Sequence, residues 1–309
     1  MSKIEWTEKT WSPIIGCSKI SPGCDNCYAA RMAHRLMHMP YTDYYQFVLR
    51  NNGSDDPEKF KNIPEWNGTT HLVESALDIP VKRKKPTTYF VCSMGDLFHE
   101  SVPDAWLYKV FEVMEEANHH RFLLLTKRPE RAKAFFIRHV NNDNLLLVQH
   151  IWLGVTAENQ EQADKRIPIL LQIPAAKRFV SIEPMLEPIE MESEWHNYLE
   201  GWQTEMKSTG GHPSEQKVET NKLDWVICGG ESGPKARPMH PGWARDLMFQ
   251  CWEAQVPFFF KQQGEWSDTF HVGKDFVMVM HGDTSSAMAR VGKKAAGYML
   301  DGEVRRERP

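Results

Sequence analysis

The stretch RFLLLTKRPERAKAFFIRHV, residues 121–140, joins an apolar, β-prone run to a helical sequence through Thr-Lys-Arg-Pro. An apolar run without regular polar alternation is typical of a strand that is covered on both faces of a sheet. The stretch therefore predicts a buried β-strand that ends in polar residues and is followed by an α-helix.

The same unit recurs along the chain. Apolar runs that end in small, polar or charged residues occupy 87–96, 121–129, 151–159, 178–184, 224–233 and 257–265. Helical candidates lie between them at about 103–119, 129–140, 159–172 and 241–255. Because repeated strand–helix units build parallel sheets with right-handed crossovers, the sequence predicts an α/β fold.

Two segments and the tail interrupt this pattern. Residues 49–70 are rich in Asn, Gly, Asp and Pro, which predicts a surface excursion. Residues 191–222 are polar around a Gly-Gly-His-Pro centre, which predicts an insertion with a flexible part. The tail mixes strand-like pieces, DFVMVM and AGYML, with turns. We expect a main domain over 1–266 that carries both insertions, and a C-terminal extension over 267–309 that packs on it.

Composition narrows the class of protein. The 309 residues are 41% hydrophobic, which suffices for a large core, and the net charge of −4 is too small to indicate a polyanionic partner. The N-terminus carries no secretory or transit pattern, and no apolar run is long enough to span a bilayer. We therefore expect a cytoplasmic protein without a membrane partner and with reduced thiols. Local basic runs, such as KRKK at 82–85, fit either a solvated face or a nucleic-acid contact.

Polar side chains follow nearly every predicted strand at its C-terminal end. In parallel α/β folds these ends converge on one face, where active sites form. Isolated charges after strands are ordinary loop residues, but six successive instances predict a shared functional face. The residues are Asp96, Lys127, Arg128, Thr156, Glu158, Glu183, Glu231 and Lys261.

Three cysteines, Cys17, Cys24 and Cys27, lie within GCSKISPGCDNCYAARM, residues 16–32. Three thiolates on one loop can ligate three irons of a [4Fe–4S] cluster and leave the fourth iron open. A structural zinc site, with a fourth ligand from a histidine or from Cys92, is the alternative. The remaining cysteines are scattered among apolar residues, which favours buried positions for Cys92, Cys228 and Cys251.

Six segments together carry a family resemblance: WSPIIGCSKISPGCDNCYAARMAHRL (11–36), VCSMGDLFHESVP (91–103), LLLTKRPERA (123–132), VSIEPMLEPI (180–189), WVICGGESGPKARPMHPGWARDL (225–247) and FFFKQQGEW (258–266). On these motifs the chain resembles the phage-associated three-Cys-motif protein family, a branch of the radical S-adenosylmethionine superfamily. The resemblance covers most of the chain apart from the two insertions and the far tail.

The resemblance implies a partial (β/α)6 TIM-like barrel of parallel strands with an N-terminal cluster loop. It implies a [4Fe–4S] cluster on Cys17, Cys24 and Cys27, and S-adenosylmethionine chelated to the open iron. An external one-electron donor, similar to flavodoxin or ferredoxin, would drive cleavage to a 5′-deoxyadenosyl radical that abstracts hydrogen from a substrate. A nucleic acid base or nucleotide is the favoured substrate class. A non-catalytic zinc- or cluster-binding scaffold for nucleic acid or a protein partner is the alternative function.

The resemblance also implies roles for individual residues. Ser93, Met94, Gly95 and Asp96 stand where the superfamily binds the S-adenosylmethionine amino group. Thr156, Glu158 and Asn159 would bind the ribose hydroxyls, and Lys127 or Arg128 would bind the methionine carboxylate. Gly229 and Gly230 offer a close-approach turn for adenine or substrate. The residues expected to contact the reacting groups are Lys127, Glu183, Glu231 and Lys261. Two alternatives stay open: Asp96 as a helix N-cap and Lys261 as a surface lysine.

Overall fold

The computed structural model describes residues 4–40, 42–50, 65–140, 149–209, 212–268 and 276–309. The chain divides into two compact units, Met1–Gly154 and Val155–Pro309. The boundary falls inside one strand, β6, so each unit is described by itself below. Among the described residues, no helix combines the length and the apolar character that a bilayer crossing requires.

The first unit is built on parallel strands with helices between them. Its elements are β1 (Lys9–Trp11), β2 (Ile14–Ile15), α1 (Tyr28–Leu36), β3 (His71–Leu72), α2 (Ile79–Lys82), β4 (Thr88–Val91), α3 (Asp104–Glu116), β5 (Arg121–Thr126) and α4 (Pro129–Val140), followed by β6 (Ile151–Thr156). Strands β1, β4 and β5 are neighbours in that order and pair in parallel. Strands β2 and β3 form a separate antiparallel pair.

Apolar spacing in the sequence explains how this unit packs. Helix α3 buries Leu107, Val110, Phe111 and Met114, which recur at helical spacing on one face. Strands β4 and β5 are buried over most of their length, as expected for strands without polar alternation. The Phe111 ring lies 5.1 Å from a Phe ring of α4 between centroids, so aromatic contacts join the two helices.

A close backbone contact fixes where the cysteine segment begins. Gly16 forms an isolated bridge with Gly95, and its N–H donates to the Met94 carbonyl at 3.1 Å. Gly16 has a φ of +93°, and a Cβ there would lie 2.3 Å from the Thr69 carbonyl oxygen. A Cβ on Gly95 would lie 2.8 Å from the Gly16 carbonyl oxygen. Both positions therefore require glycine for the two backbones to meet.

The second unit repeats the parallel arrangement and adds two antiparallel sheets. Strands β7, β11 and β12 are neighbours in that order and pair in parallel, with a register shift between Cys228 and Gly229. The elements are α5 (Gln160–Leu171), β7 (Lys177–Ile182), β8 (His196–Asn197), β9 (Trp202–Thr209), β10 (His212–Glu219), β11 (Trp225–Gly229), α6 (Pro241–Glu253), β12 (Phe258–Gln262), β13 (Trp266–Ser267), β14 (Phe276–His281), β15 (Thr284–Arg290) and α7 (Lys293–Ala296).

The predicted α/β class and its parallel strands are confirmed. The six strand runs predicted from the sequence contain β4, β5, β6, β11 and β12 and all but the first residue of β7, and the four helical candidates contain α3, α4, α5 and α6. The short strand β1 escaped prediction because three residues give too little periodicity to detect.

One expectation differs from the structure, and two others fall partly outside the described residues. In the 191–222 insertion, β9 and β10 pair antiparallel from Trp202↔Glu219 to Thr209↔His212, and the Gly-Gly centre at 210–211 lies outside the described residues. The sequence did not indicate strands here because the residues are polar. The two strands form a solvated hairpin, in which the backbones pair without a buried face. In the tail, five residues of DFVMVM lie in β14, but AGYML forms no strand, and only its Leu300 makes an isolated bridge, with Glu303. Residues 51–64 of the predicted excursion lie outside the described residues.

The substitution Gly16→Ala tests the close contact at the start of the cysteine segment. We expect it to lower the free energy of unfolding by about 3 kcal/mol, because a Cβ would both clash with a carbonyl oxygen and strain a positive φ. Gly68→Ala is the matched control, since Gly68 has a φ of +88° but open space around its Cβ position. That control should lose only about 1–2 kcal/mol. Urea unfolding of both variants gives the comparison, and equal losses would contradict the steric argument.

Candidate functional site

The three clustered cysteines lie on one short loop of the first unit. Cys17 follows Gly16, Cys24 ends a single 3-10 turn, and Cys27 directly precedes α1. The turn is held by backbone hydrogen bonds from Cys24 to Ser21 at 2.9 Å and from Cys27 to Cys24 at 3.3 Å. All six cysteines are free thiols, but these three are partly exposed whereas the remaining three are buried. The structure therefore separates one accessible set of thiols from one packed set, as the sequence predicted.

The charged groups around Cys17 have opposite effects on the pKa of its thiol. Burial is the main cause that raises the pKa of the Cys17 thiol to about 12, and the Asp96 carboxylate adds to the rise. The Arg128 guanidinium opposes both effects. Cys27 and Cys24 are close enough to influence the same thiol electrostatically. The N-terminus of α1 also places a partial positive charge near the loop, because the helix begins at the residue after Cys27.

Arg128 joins the end of β5 to the cysteine loop. Its Nη1 donates to Asp96 Oδ2 at 3.0 Å and to Cys17 Sγ at 3.6 Å. Its Nη2 donates to Ser18 Oγ at 2.7 Å, and its Nε lies 2.9 Å from both carboxylate oxygens of Glu100. The side chain is only 4% exposed. Burial alone lowers the pKa of Arg128, but Asp96, Cys17 and Glu100 outweigh it and raise the pKa overall.

Asp96 is the buried anion of this pair and is fully hydrogen-bonded. Oδ1 accepts from the Thr126 hydroxyl at 2.7 Å and from the Phe98 backbone at 3.0 Å. Oδ2 accepts from the Lys127 backbone at 3.3 Å as well as from Arg128. Asp96 therefore connects the turn after β4 to the end of β5. It does not cap the following helix, because the N-cap position of α3 is held by a proline.

His99 and Ser18 extend the network on the loop side. The Ser101 backbone N–H donates to His99 Nδ1 at 3.1 Å, so the neutral ring carries its proton on Nε2 and donates it to Ser18 Oγ at 2.9 Å. Burial, followed by the charge of Arg128, lowers the pKa of His99 and keeps the ring neutral. Ser18 Oγ thus accepts from both His99 and Arg128. The loop residue next to Cys17 is held from two sides.

The other predicted residues of this unit surround the same turn. Ser93 Oγ lies 3.3 Å from Ser12 Oγ, and the Ser93 carbonyl accepts from the Tyr28 hydroxyl of α1 at 2.9 Å. Met94 and Gly95 make the backbone contact with Gly16 described above. The Lys127 side chain is half-buried. The structure therefore gathers the predicted residues of unit one around the start of the cysteine loop.

In the second unit, three predicted residues have structural partners in and before α5. Glu158 is fully buried and accepts from Arg166 Nη1 at 3.0 Å. The same Nη1 donates to the Thr156 carbonyl at 2.7 Å. Asn159 is the N-cap of α5, because its Oδ1 accepts from the Gln162 backbone at 3.0 Å. These contacts give Thr156, Glu158 and Asn159 a role in fixing the strand-to-helix turn, beside the ribose role expected from sequence.

Glu183 and Lys261 meet at the ends of β7 and β12. Lys261 Nζ lies 2.6 Å from Glu183 Oε1, and both side chains are mostly buried, at 14% and 18% exposure. Gln262 Nε2 approaches the same oxygen at 3.4 Å and the Gly230 carbonyl at 3.3 Å. The structure therefore brings together two residues that sequence analysis had placed on separate strands.

Glu231, another residue that the sequence placed on the functional face, pairs with a different side chain. Its carboxylate accepts from Arg237 Nη2 at 2.6 Å and from Arg237 Nε at 2.9 Å, which is bidentate pairing. The turn before it needs a glycine, because a Cβ on Gly230 would lie 2.0 Å from the Gln263 carbonyl oxygen. Gly229 has only ordinary contacts at its Cβ position.

Sequence analysis missed several residues of both clusters. Ser18, His99 and Glu100 complete the Arg128 network, and Gln262 completes the Glu183 cluster. The motifs could have indicated these residues, since His99 and Glu100 follow Asp96 within VCSMGDLFHESVP and Gln262 follows Lys261. Arg166 carried no such signal, because it lies in the middle of a helix and its partner becomes evident only in three dimensions.

The donor chemistry of the loop suits a thiolate-bound metal group. Three free, partly exposed thiols with a charge-assisted N–H donor on Cys17 match the thiolate ligands and sulfur hydrogen bonds of iron–sulfur sites. Within the described ranges, no three His, Cys, Asp or Glu side chains form a ready-made metal site, so the match rests on the donor chemistry of the thiols and on their shared loop.

The buried pair between Arg128 and Asp96 makes a stability prediction. Arg128→Met should lower the free energy of unfolding by about 3–5 kcal/mol, because it leaves the Asp96 carboxylate buried without its cation. Asp96→Asn added to that variant should restore part of the loss. Lys109→Ala, which breaks the exposed pair with Glu74, is the control and should change stability by less than about 1 kcal/mol. Chemical denaturation measures all three, and a small effect of Arg128→Met would contradict the structural role.

Comparisons with known proteins give one match. A search of curated proteins found no match, and a search of solved structures found none either. A family model described as "Protein of unknown function (DUF5131)" matches residues 1–309. Because this match spans the whole sequence, the chain belongs to that family.

Proposed function

We propose that the protein is a radical S-adenosylmethionine-type enzyme that holds a [4Fe–4S] cluster through Cys17, Cys24 and Cys27. One observation carries the proposal: the three thiols lie on one loop, partly exposed, and Arg128 points an N–H at the first of them from 3.6 Å. When bound, the cluster and S-adenosylmethionine would supply a 5′-deoxyadenosyl radical for hydrogen abstraction from a substrate.

The residues around Cys17 support this function by positioning and by charge. Arg128 and His99 hold Ser18, and Gly16 is held against Met94, so the segment that carries Cys17 is fixed at both sides. Burial and Asp96 raise the pKa of Cys17, and the Arg128 guanidinium acts against them, toward the thiolate that binds iron. Because its N–H groups already face Asp96, Glu100, Ser18 and Cys17, we assign Arg128 to the loop and leave the methionine carboxylate to Lys127.

The remaining parts of the proposal rest on the resemblance and on the strand-end positions of the residues. The parallel strands of the two units suit a partial (β/α)6 barrel in a cytoplasmic enzyme. Ser93, Met94 and Gly95 offer backbone groups beside the cysteine loop for the amino group of S-adenosylmethionine. The substrate class is a nucleobase or nucleotide, and the electron donor is a flavodoxin- or ferredoxin-like protein.

Metal analysis of protein reconstituted without oxygen tests the cofactor. The natural chain should contain about four irons and four sulfides. Cys24→Ala should lose most of both without unfolding, because removal of one partly exposed thiol takes away a ligand but little buried area. Cys251→Ala is the matched control, since it removes a thiol that is buried in α6 and should keep the full iron and sulfide content.

The same preparation distinguishes the alternative. Incubation with dithionite and S-adenosylmethionine should release 5′-deoxyadenosine from the natural chain and not from Cys24→Ala. One zinc per chain, with no sulfide and no cleavage, would contradict the proposal and favour a structural zinc site in a binding scaffold. Full iron and sulfide in Cys24→Ala would contradict the assignment of that ligand.

A further inference from the structure

Strand β14 lies at the edge of an antiparallel sheet in the second unit and exposes apolar side chains on both faces. The strands of this sheet lie in the order β13, β15, β14, so β14 has one free edge. Phe276, Met278 and Met280 alternate onto one face and are each more than half exposed, and Val277 on the other face is 40% exposed. No residue from Phe276 to Met280 carries a charge. The strand therefore presents an uncharged, apolar edge to water.

The pairing of β14 with β15 shows which backbone groups of the edge are free. His281 pairs with Thr284 across a two-residue turn. Residues that flank such a turn exchange both backbone hydrogen bonds, and the pattern then alternates along the strand. The N–H and C=O groups of Phe276, Met278 and Met280 therefore point away from β15. Within the described residues, no hydrogen bond from elsewhere reaches these groups.

The other edge strands of the second unit are protected against pairing with another chain. Strands β8 and β13 have only two residues each. The outer edge of β12 is covered by the C-terminal tail, because the Phe260 N–H donates to the Arg305 carbonyl at 2.7 Å. Strand β10 contains Pro213 and three charged residues. Short length, cover, proline and charge are the usual devices that block edge pairing, and the described structure gives β14 none of them.

The symmetry of the edge favours a second copy of this chain as the partner. With a two-fold axis at Met278, Met278 would oppose the partner's Met278, and Phe276 would oppose the partner's Met280. All three outward-facing residues of each strand would then find a backbone partner. An uncharged strand meets its own copy without like charges in opposition. The same strand offers no charge that would attract a nucleic acid or select a different protein.

We propose that β14 is a homodimer interface, at which two copies of the chain pair antiparallel around Met278 and join their three-stranded sheets. The exposed Phe276, Met278 and Met280 of both copies would form one apolar strip across the joined sheet. One strand pair is smaller than a standard protein interface, so the dimer dissociates on dilution. The interface goes beyond the proposed function and does not depend on the cluster.

Sedimentation velocity of the full-length protein over a dilution series tests the interface. A thiol reductant is present, so that the free cysteines cannot cross-link two chains. The natural chain should sediment as a dimer at high concentration and as a monomer on dilution. Met278→Lys should weaken self-association about tenfold or more, because two ammonium groups would oppose each other at the two-fold axis. Gln216→Lys is the matched control, since it adds the same charge at an exposed position of β10 and should leave self-association unchanged.

A charge-swap experiment separates loss of the interface from loss of the fold. Met278→Glu should weaken self-association as Met278→Lys does, and an equimolar mixture of the two variants should restore the dimer because opposite charges then meet. A monomeric natural chain at every concentration would overturn the proposal. Natural dimer affinity in both variants, or a mixture that associates no better than each variant alone, would overturn it as well.

Discussion

The buried pair between Arg128 and Asp96 organises the first unit. An ion pair with 4% and 7% side-chain exposure is stable only if nearly every donor and acceptor is satisfied. The structure meets this requirement by using the ends of β4 and β5 and the residue after Cys17 as partners. The polar contacts that stabilise the pair therefore also fix the position of the cysteine loop.

Glycine has the complementary role, because polar networks need backbones that approach closely. Gly16 and Gly95 bring the cysteine loop against the turn after β4, and a Cβ at either position would clash with a carbonyl oxygen. In the second unit, Gly230 lets the end of β11 lie against the segment after β12, because a Cβ there would lie 2.0 Å from the Gln263 carbonyl oxygen. In each cluster, glycines allow close backbone contacts because they have no side chain.

The two clusters differ in the kind of chemistry they support. Around Asp96, each carboxylate oxygen accepts two hydrogen bonds, which suits a positioning role. Near Glu183, the buried amide oxygen of Gln262 receives no hydrogen bond from the described residues. A satisfied network holds a fold in one arrangement, whereas an unsatisfied buried polar atom carries a free-energy cost.

The sequence by itself determined the strand–helix units, the parallel sheet and the separation of clustered from scattered cysteines. Hydrophobic periodicity and local spacing are properties of neighbouring residues, so they can be recognised from the sequence alone. Only the tertiary structure decided which charges pair, because Arg128 meets Cys17 across 111 positions and Lys261 meets Glu183 across 78. It also showed that Asn159 caps a helix and that the polar insertion contains a hairpin. Long-range pairing depends on backbone approach and register, which no local pattern encodes.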